Sequence, residues 1–392
     1  MVVDFEPNFD FSLVVKEGAS MYQKNLIIMF LILFFQTTLA VAVEPQFQIA
    51  PYLHYVKDGK IQISWTYSGG LKNPMSAVVK TSNRGIEQVI PANFSNGIYN
   101  VSLPLAACGF GDDVTYEVTG MSKPEKINDL PCEGDTRTVR FSFLADTQEG
   151  YDIAHIFAQQ IRDFDGSFVL HGGDLVQTGN DFNEWFKFFE AMSPAVSRQV
   201  MFSVPGNHEY RWNVKLPMWK YFFNMEGTDN YYSMKVGQGT IIALNTNFID
   251  DPSLRFKQLA WLKEELAKPS KWRIVFFHHP PFSRGFFNGP LSPKREHLMI
   301  EKDYVPVFEE YKVDLVLSGH SHLFEHSIKD GIHYLVTGAA GGMMGFMGGK
   351  NPYSLEVEKR RTIIQFEMNS GELRIVATTL EGLVLEEFTL KK

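Results

Sequence analysis

Carboxylates, an amide and imidazoles gather in five short stretches of this 392-residue sequence, and each stretch follows a hydrophobic run that predicts a strand. In open α/β sheets, ligands bind at the edge where strands end, so segments far apart in the sequence meet there. Nitrogen and oxygen ligands without sulfur suit iron, zinc or manganese better than calcium or copper(I). The pattern therefore predicts a site for a pair of metal ions. The stretches are Asp146-Thr147-Gln148, Gly173-Asp174, Gly206-Asn207-His208-Glu209, His278-His279-Pro280 and Gly319-His320-Ser321-His322.

The oxygen ligands have distinct uses in such a site. Asp174 has two oxygens that can bridge two ions, and Gly172-Gly173 before it allow a sharp turn at the strand end. Asp146 offers a second carboxylate, and Asn207 offers a neutral carbonyl oxygen. Residues such as Asp174 and Asn207 most often serve as turn and helix-cap residues. The order of all five stretches favours the metal site over that ordinary role.

Imidazole nitrogens come from two of the stretches. His320 and His322 are two residues apart, so an extended or turning backbone can offer one ring to each ion. His278 supplies a further nitrogen, and the adjacent His279 leaves the register open. If His278 is the ligand, His279 lies behind it or in solvent.

Two kinds of hydrophobic pattern surround these residues. From Phe47 to about Thr138, short runs alternate with period two between turn signals, which predicts a small β-sandwich without catalytic residues. From Val139 onward, strand patterns alternate with helix patterns, which predicts a layered α/β domain. The tail from Thr362 to Leu390 returns to consecutive strands, and the Gly- and Met-rich stretch Gly338 to Gly349 predicts a loop.

The net charge of the chain is −8, which argues against sequence-independent binding to nucleic acid, since such binding relies on basic patches. It does not argue against a small phosphorylated substrate, because bound metal ions supply their own positive charge.

The N-terminal region has the pattern of a secretory signal. Leu26 to Phe35 is an apolar run that is too short for a spanning helix of roughly 20 residues. Lys24 precedes it and Ala40-Val41-Ala42 follows it, which predicts translation from Met21 and cleavage after Ala42. The alternative is an uncleaved membrane anchor. We expect a secreted, periplasmic or otherwise extracytoplasmic protein with no stable membrane insertion after cleavage.

The chain has two cysteines, Cys108 and Cys132. In an oxidising compartment, one disulfide between them is the simplest arrangement, and two unpaired thiols are the alternative. Because the five stretches contain no cysteine, a thiolate metal site and a cysteine nucleophile are excluded there.

The order Asp, Gly-Asp, Gly-Asn-His-Glu, His-x-Pro and Gly-His-x-His resembles the calcineurin-like metallophosphoesterase superfamily. Ala50-Pro51-Tyr52-Leu53, followed by Ile63-Ser64-Trp65-Thr66, is similar to the fibronectin-III-like domain of purple acid phosphatases. The resemblance implies an α/β (layered α+β) fold, with a four-layer metallophosphoesterase β-sandwich flanked by helices and preceded by a small all-β sandwich. It divides the chain into a leader at residues 1–42, a fibronectin-III-like domain at 43–138 and a catalytic domain at 139–392.

The resemblance also assigns roles to the motif residues. One metal takes Asp146, Asp174 and His322, and the other takes Asp174, Asn207, His278 and His320. The two ions are iron, zinc or manganese. His208 maps to the non-ligand histidine of the family and is expected to protonate the departing alkoxide, while a metal-activated hydroxide attacks phosphorus in line.

The expected activity is hydrolysis of small phosphate monoesters by a secreted phosphatase with two metal ions. One alternative is a phosphodiesterase or nucleotidase on the same core. The other alternative is a homologue that has lost turnover and binds a phosphorylated or protein ligand.

The sequence departs from the family at two positions. Purple acid phosphatases have a ligand tyrosine three residues after the aspartate that corresponds to Asp174, and this chain has Gln177 there. Most of the wider superfamily has a ligand histidine where this chain has Gln148. We expect Gln148 rather than Gln177 to complete the first metal site, with water as the alternative, because amide oxygens are hard-ion ligands.

Four residues outside the assigned ligands are candidates for the substrate pocket: Tyr210, Arg284, His297 and His326. His297 would contact a substrate phosphate or lie on the solvated surface. Its charged neighbours, Lys294-Arg295-Glu296, favour the surface.

Overall fold

A computed structural model describes residues 46–56, 60–68, 76–81, 86–95, 97–103, 114–211, 215–225, 229–248, 251–285 and 295–392. The predicted leader, with Met21 and Ala42, lies outside these ranges, so the signal peptide and its cleavage stay predictions. Cys108 also lies outside them, and the disulfide with Cys132 stays a prediction. Among the helices that the structure describes, none is long and apolar enough to cross a membrane.

The described strands form three sheets. The four-stranded sheet contains β3 (Ser76–Thr81), β4 (Ile86–Pro91), β7 (Val114–Val118) and β8 (Glu125–Ile127), in the order β4-β3-β7-β8. The ten-stranded sheet contains β1 (Phe47–Val56), β2 (Lys60–Tyr67), β5 (Asn93–Ser95), β6 (Ile98–Leu103), β9 (Val139–Leu144), β10 (Phe168–His171), β11 (Val200–Ser203), β19 (Thr362–Met368), β20 (Glu372–Thr379) and β21 (Val384–Lys391), in the order β21-β20-β19-β9-β10-β11-β1-β2-β6-β5. The seven-stranded sheet contains β12 (Tyr232–Val236), β13 (Gly239–Ala243), β14 (Trp272–Phe277), β15 (Leu315–Ser318), β16 (Phe324–Lys329), β17 (Ile332–Thr337) and β18 (Ser354–Glu358), in the order β12-β13-β14-β15-β17-β16-β18.

The helices lie between strands of the two large sheets. Their bounds are α1 (Tyr151–Phe164), α2 (Phe182–Val196), α3 (Asn207–Tyr210), α4 (Pro217–Phe223), α5 (Pro252–Ala267), α6 (Arg295–Asp303) and α7 (Val305–Glu310). The predicted mixed α/β fold with large sheets is confirmed.

Parallel pairing brings the ends of the central strands together. β9, β10 and β11 are parallel neighbours in one sheet, and β13, β14 and β15 are parallel neighbours in the other. Strands β10, β11 and β15 are buried along their whole length, as expected for continuous apolar runs that are covered on both faces. All five motif stretches follow β9, β10, β11, β14 or β15, so they lie at the carboxyl ends of parallel strands.

The C-terminal strands support the strand that leads to Asp146. β19 pairs antiparallel with β9, with Phe366 opposite Phe141, and β20 and β21 continue that edge of the sheet. The Phe141 ring stacks on Phe366 at 4.5 Å and on Phe168 at 4.8 Å between centroids. The predicted return to consecutive strands is confirmed, and these strands hold β9 in the centre of the core.

The N-terminal strands continue the large sheet. β1 pairs parallel with β11, with His54 opposite Met201, and β2 and β6 follow it. The Tyr52 hydroxyl donates to the Phe222 carbonyl at 2.8 Å, and its ring packs on Phe189 of α2. The domain boundary at residues 138 and 139 and the fibronectin-III-like assignment stay predictions, and a strand pair connects the two sides of that boundary.

Candidate metal centre

Three of the predicted ligands lie in the left-handed region of backbone space. Their φ angles are 60° for Asp146, 52° for Asp174 and 66° for His320. Residues other than glycine pay about 1–3 kcal/mol for such conformations, which persist where the surrounding structure enforces them and cluster at functional sites. Each of these residues follows a buried strand, so the turn that ends the strand also directs the side chain toward the shared edge.

His278 brings together the atoms of one predicted ligand set. Its Nδ1–H donates to the Gly172 carbonyl at 2.9 Å, so Nε2 is the nitrogen that faces the site. Nε2 lies 3.1 Å from Asp174 Oδ2, 3.0 Å from Asn207 Oδ1 and 3.1 Å from His320 Nδ1. Four nitrogen and oxygen atoms therefore face one point, as in a site where second hydrogen bonds orient the metal-binding imidazoles.

The second predicted set surrounds His322. The Nδ1–H of His322 donates to the Met343 carbonyl, and its Nε2 lies 3.2 Å from Asp146 Oδ1 and 3.4 Å from Gln148 Nε2. Gln148 Oε1 is buried, and it accepts no hydrogen bond from the residues that the structure describes. Rotation of the amide by half a turn exchanges its oxygen and nitrogen, which directs Oε1 at His322 Nε2. A buried oxygen without a donor fits a bound cation.

The two sets share one site. Ligand atoms of Asp146, Asp174 and His278 lie within 4.8 Å of one another, and so do those of His278, His279 and His320. His279 is buried, and its Nδ1 lies 2.8 Å from Thr246 Oγ1. The alternative that His279 points into solvent is therefore excluded, and its ring packs on His278 at 4.8 Å and on His320 at 4.5 Å between centroids.

His208 lies at the accessible side of this cluster. Its Nδ1–H donates to the backbone carbonyl of Gln177 at 2.8 Å, which leaves Nε2 directed at the site, 3.8 Å from Asp174 Oδ2. Its side chain is 20% exposed, whereas that of Asp174 is 2% exposed. Gln177 contributes its main-chain carbonyl to this hydrogen bond. The orientation of His208 therefore does not depend on whether position 177 carries glutamine or tyrosine.

Glu209 joins two of the motif loops, a role that the sequence reasoning did not assign. Its carboxylate accepts backbone N–H groups from four residues: Asp174 at 2.9 Å, Leu175 at 2.8 Å, Val176 at 3.2 Å and Gly206 at 2.7 Å. The loops approach closely, since a β-carbon at Gly206 would lie 2.1 Å from Asp174 Oδ1. Burial, followed by the charge of Asp174, raises the pKa of Glu209 to about 7. The one sign of this role in the sequence is the position of Glu209 as the last residue of the Gly-Asn-His-Glu stretch.

Opposite charges stabilise a proton on the His278 ring. Burial lowers the pKa of His278, but the charges of Asp174 and Asp146 outweigh burial and raise it to about 9. Burial raises the pKa of Asp174, and the charges of His278 and His208 outweigh it and lower the pKa. Burial, with the neighbouring histidines, lowers the pKa of His320. A metal ion that binds His278 at neutral pH therefore displaces a proton.

The preference for a surface position of His297 is wrong. His297 is 3% exposed, its Nδ1–H donates to the Pro280 carbonyl, and its ring centroid lies 5.6 Å from that of His320. Its Nε2 is buried without a hydrogen-bond partner among the described residues. Burial lowers the pKa of His297 to about 4. The prediction relied on the charged sequence neighbours of His297. Arg295 and Glu296 are exposed or half-buried, whereas the His297 side chain lies on the buried side of α6.

The remaining pocket candidates differ in position. The hydroxyl of Tyr210 accepts a hydrogen bond from Asn245 Nδ2 at 2.6 Å, and burial raises the pKa of Tyr210 to about 12. His326 contacts Glu386 and His333 on β21 and β17, so it belongs to a different cluster. Arg284 has an exposed side chain on the segment after the His278 motif.

Residues 139–324 match the family model described as calcineurin-like phosphoesterase. This chain carries a calcineurin-like phosphoesterase domain. All five motif stretches lie within the matched residues, and the predicted calcineurin-like phosphoesterase domain is confirmed.

Known relatives of this domain include plant phosphatases. Purple acid phosphatase 3 from Arabidopsis thaliana is 26% identical over 208 residues, which are 51% of this chain and 45% of that protein. Fe(3+)-Zn(2+) purple acid phosphatase 12 from the same plant is 25% identical over 218 residues, which are 50% of this chain and 45% of that protein. The chain thus spans less than half the length of these curated relatives.

A solved structure extends the comparison beyond the phosphoesterase domain. Purple acid phosphatase PPD1 from yellow lupin has a TM-score of 0.73 and 18% identity, over 87% of this chain and 74% of that chain. At this identity the match shows a shared fold. It supports the predicted architecture, with an N-terminal sheet region before the phosphoesterase domain.

We predict that Glu209→Ala destabilises the protein strongly. The change leaves four buried backbone N–H groups without their acceptor, and each unmade bond of this kind costs about 1–3 kcal/mol. The free energy of unfolding in urea should fall by roughly 3 kcal/mol or more. The matched control is Glu184→Ala, because the half-buried Glu184 accepts the single N–H of Thr178 at 2.8 Å. Equal losses in the two variants would contradict the role of Glu209.

We also predict that Gln148 ligates the same ion as Asp146 and His322, and that this ion is the more weakly held. An amide oxygen is a poorer donor than imidazole for late first-row metals. In a chelator titration with metal counted at each step, Gln148→Ala should release this ion earlier than the parent protein. Gln148→His should release it later. Simultaneous loss of both ions at one chelator concentration in all three proteins would place Gln148 outside the ligand set.

Proposed function

We propose that this protein is a secreted phosphatase with two metal ions that hydrolyses phosphate monoesters. The convergence of His278 Nε2 with oxygen or nitrogen atoms of Asp174, Asn207 and His320 is the observation that carries the proposal. The predicted signal peptide supports export, and the plant relatives support phosphate esters as the substrate class.

The residues present fit two metal ions. Asp146, Asp174 and His322, with Gln148, would hold one ion, and Asp174, Asn207, His278 and His320 would hold the other. Iron, zinc or manganese suits these nitrogen and oxygen donors. Such ions, when bound, supply Lewis-acid activation of water and neutralise the negative charge of the phosphate.

His208 has the position of the general acid. Its Nδ1–H donates to the Gln177 carbonyl, so the proton for the leaving alkoxide would be carried on Nε2, which lies 3.8 Å from Asp174 Oδ2. His297 has one ring nitrogen left, Nε2, and we assign it to the substrate phosphate, whose charge favours the protonated ring. We assign Tyr210 to the wall of the substrate pocket, where Asn245 Nδ2 donates a hydrogen bond to its hydroxyl.

Two alternatives use the same residues differently. A phosphodiesterase or nucleotidase would share the metal ligands and His208, because specificity among esters depends on loops around the site. A homologue without turnover would retain phosphate binding, and Gln148 and Gln177 motivate that alternative. The hydrogen bond that orients His208 argues against it. A panel of mono- and diesters, with elemental analysis of the purified protein, distinguishes the three.

We predict that a change at His208 reduces turnover without releasing the metals, whereas a change at Asp174 releases the metals. His208→Ala should retain the metals and lose roughly 10²–10⁴-fold in kcat, the usual contribution of a general acid. The loss should shrink for nitrophenyl phosphate, whose leaving group needs little protonation. Asp174→Ala should abolish metal retention, because both ions lose a ligand.

The measurements are steady-state kinetics and metal content of the same preparations. A His208→Ala protein that fails to hold metal would assign His208 to the ligand set and overturn its role as the acid. An unaltered kcat in that variant on an alkyl ester would also overturn it.

We predict that the iron-loaded protein is not purple. The colour of purple acid phosphatases comes from a tyrosinate that ligates iron(III), and Gln177 occupies that position here. Tyr151 is a nearby tyrosine, but burial raises its pKa, and the charges of Glu184 and Glu209 raise it further, which disfavours the tyrosinate. The visible spectrum should have no strong charge-transfer band. An intense band that disappears in Tyr151→Phe would contradict this prediction.

A further inference from the structure

Three large apolar side chains lie exposed on the loop that follows β17. Met343 is 73% exposed, Phe346 is 68% exposed and Met347 is 47% exposed. We call these three residues the apolar rim. Single exposed apolar residues are common on protein surfaces, whereas grouped ones mark binding grooves or contact surfaces. Because the three residues lie within five positions of one another, they indicate a binding surface.

The backbone of this loop is bonded to predicted metal ligands. The N–H groups of Gly341 and Gly342 both donate to the Asp146 carbonyl at 2.8 Å, and the N–H of Gly345 donates to the His322 carbonyl at 2.8 Å. The Met343 carbonyl accepts the Nδ1–H of His322. The rim therefore begins at the residue that orients a metal-binding ring.

The start of the loop has little freedom to move away from the site. Arg361 Nη1 donates to the carbonyls of Ala339, Gly341 and Gly342 at 2.9–3.0 Å. A β-carbon at Gly342 would lie 2.7 Å from His322 Cε1, so the backbone packs directly on that ring.

The end of the loop is also held beside the site. The N–H groups of Gly348 and Gly349 donate to the Arg284 carbonyl at 3.0 Å, and Met347 forms a β-bridge with Gly285. Gly285 in turn packs on Ser321, the residue between His320 and His322. Both ends of the loop thus adjoin the same histidine turn, and the His322 side chain of that turn is 20% exposed.

Two cations accompany the rim. Lys359 Nζ lies 5.4 Å from the centre of the Phe346 ring, and Arg284 has an exposed side chain on the segment that pairs with Met347. Apolar side chains next to cations, beside a site for phosphate, fit an amphiphilic anion. The phosphate would lie among the histidines and the hydrocarbon part across the rim.

We propose that the apolar rim binds the hydrocarbon group of the substrate, so that the preferred esters are phosphate monoesters of apolar alcohols. This inference rests on the proposed phosphatase function. The occupant is part of the substrate rather than a lipid surface, because the three side chains lie on a loop whose backbone is hydrogen-bonded to the predicted ligands Asp146 and His322. Membrane-surface binding typically uses a whole amphipathic helix face.

The test is a series of n-alkyl phosphates from ethyl to octyl with the metal-loaded protein. Full burial of a methylene contributes about 0.8 kcal/mol, which is about a fourfold gain in kcat/KM. A rim open to solvent on one side should give roughly half of that free energy, about twofold per methylene. In Phe346→Ser and Met347→Ser, the ratio of octyl to ethyl phosphate should fall severalfold. Phe256→Ser, at a 58% exposed phenylalanine on α5, is the matched control and should keep the ratio.

A second measurement does not depend on turnover. Calorimetry with octylphosphonate and ethylphosphonate should show tighter binding of the longer ligand, with a more negative heat-capacity change. Phe346→Ser should reduce this difference severalfold, and Phe256→Ser should retain it. Sedimentation with phosphatidylcholine vesicles tests the competing lipid-surface role.

The outcomes separate the two proposals. If no ester is hydrolysed but octylphosphonate binding depends on Phe346, the phosphatase function fails and the rim stands as a binding site. If esters are hydrolysed at rates independent of chain length, the rim proposal is overturned and the phosphatase function stands. Vesicle binding that is lost in the rim variants, with no chain-length effect, also overturns it in favour of a lipid surface.

Discussion

The carboxylate of Glu209 is the interaction on which the metal centre depends. β10 and β11 end side by side, and the turns after them leave backbone N–H groups that no strand can pair. Glu209 accepts four of these N–H groups, three from the loop of Asp174 and one from Gly206. Buried backbone donors need acceptors, so this one side chain fixes the separation of the two loops. Asp174 Oδ1 then accepts the N–H of His208 at 2.8 Å, which places the proposed bridging ligand and the proposed acid in one network.

The same network explains how the site tolerates its two glutamines. His208 is oriented by the main chain of Gln177, and His322 is oriented by the main chain of Met343. Second hydrogen bonds of this kind fix ring orientation in metal sites, and because the acceptor is a main-chain carbonyl they do not depend on the acceptor residue's side chain. Glutamine in place of a tyrosinate ligand would therefore remove a negative charge from the ligand set, and glutamine in place of a neutral histidine ligand would change only the donor atom, without altering the frame around either.

The Gly-rich loop connects this frame to the surface. It binds Asp146 and His322 through backbone groups, and it carries the exposed side chains of Met343, Phe346 and Met347. Glycines are needed where the loop packs on the His322 ring, and larger residues are possible where it faces solvent. One segment thus orients a predicted metal ligand through its backbone and carries the proposed apolar rim through its side chains.

The sequence by itself determined the five motif stretches, the strands that precede them and the change from β pattern to mixed pattern near Val139. These features are local, because apolar periodicity and Gly, Asp, Asn or His at a strand end depend on neighbouring residues. Tertiary structure alone decided the burial of His297, the role of Glu209 and the packing of the Gly-rich loop on His322. It also joined β1 to β11, although a separate sandwich was expected. Each of these depends on hydrogen bonds or ring contacts between residues distant in sequence, and no local pattern specifies which carbonyl or N–H a buried side chain will meet.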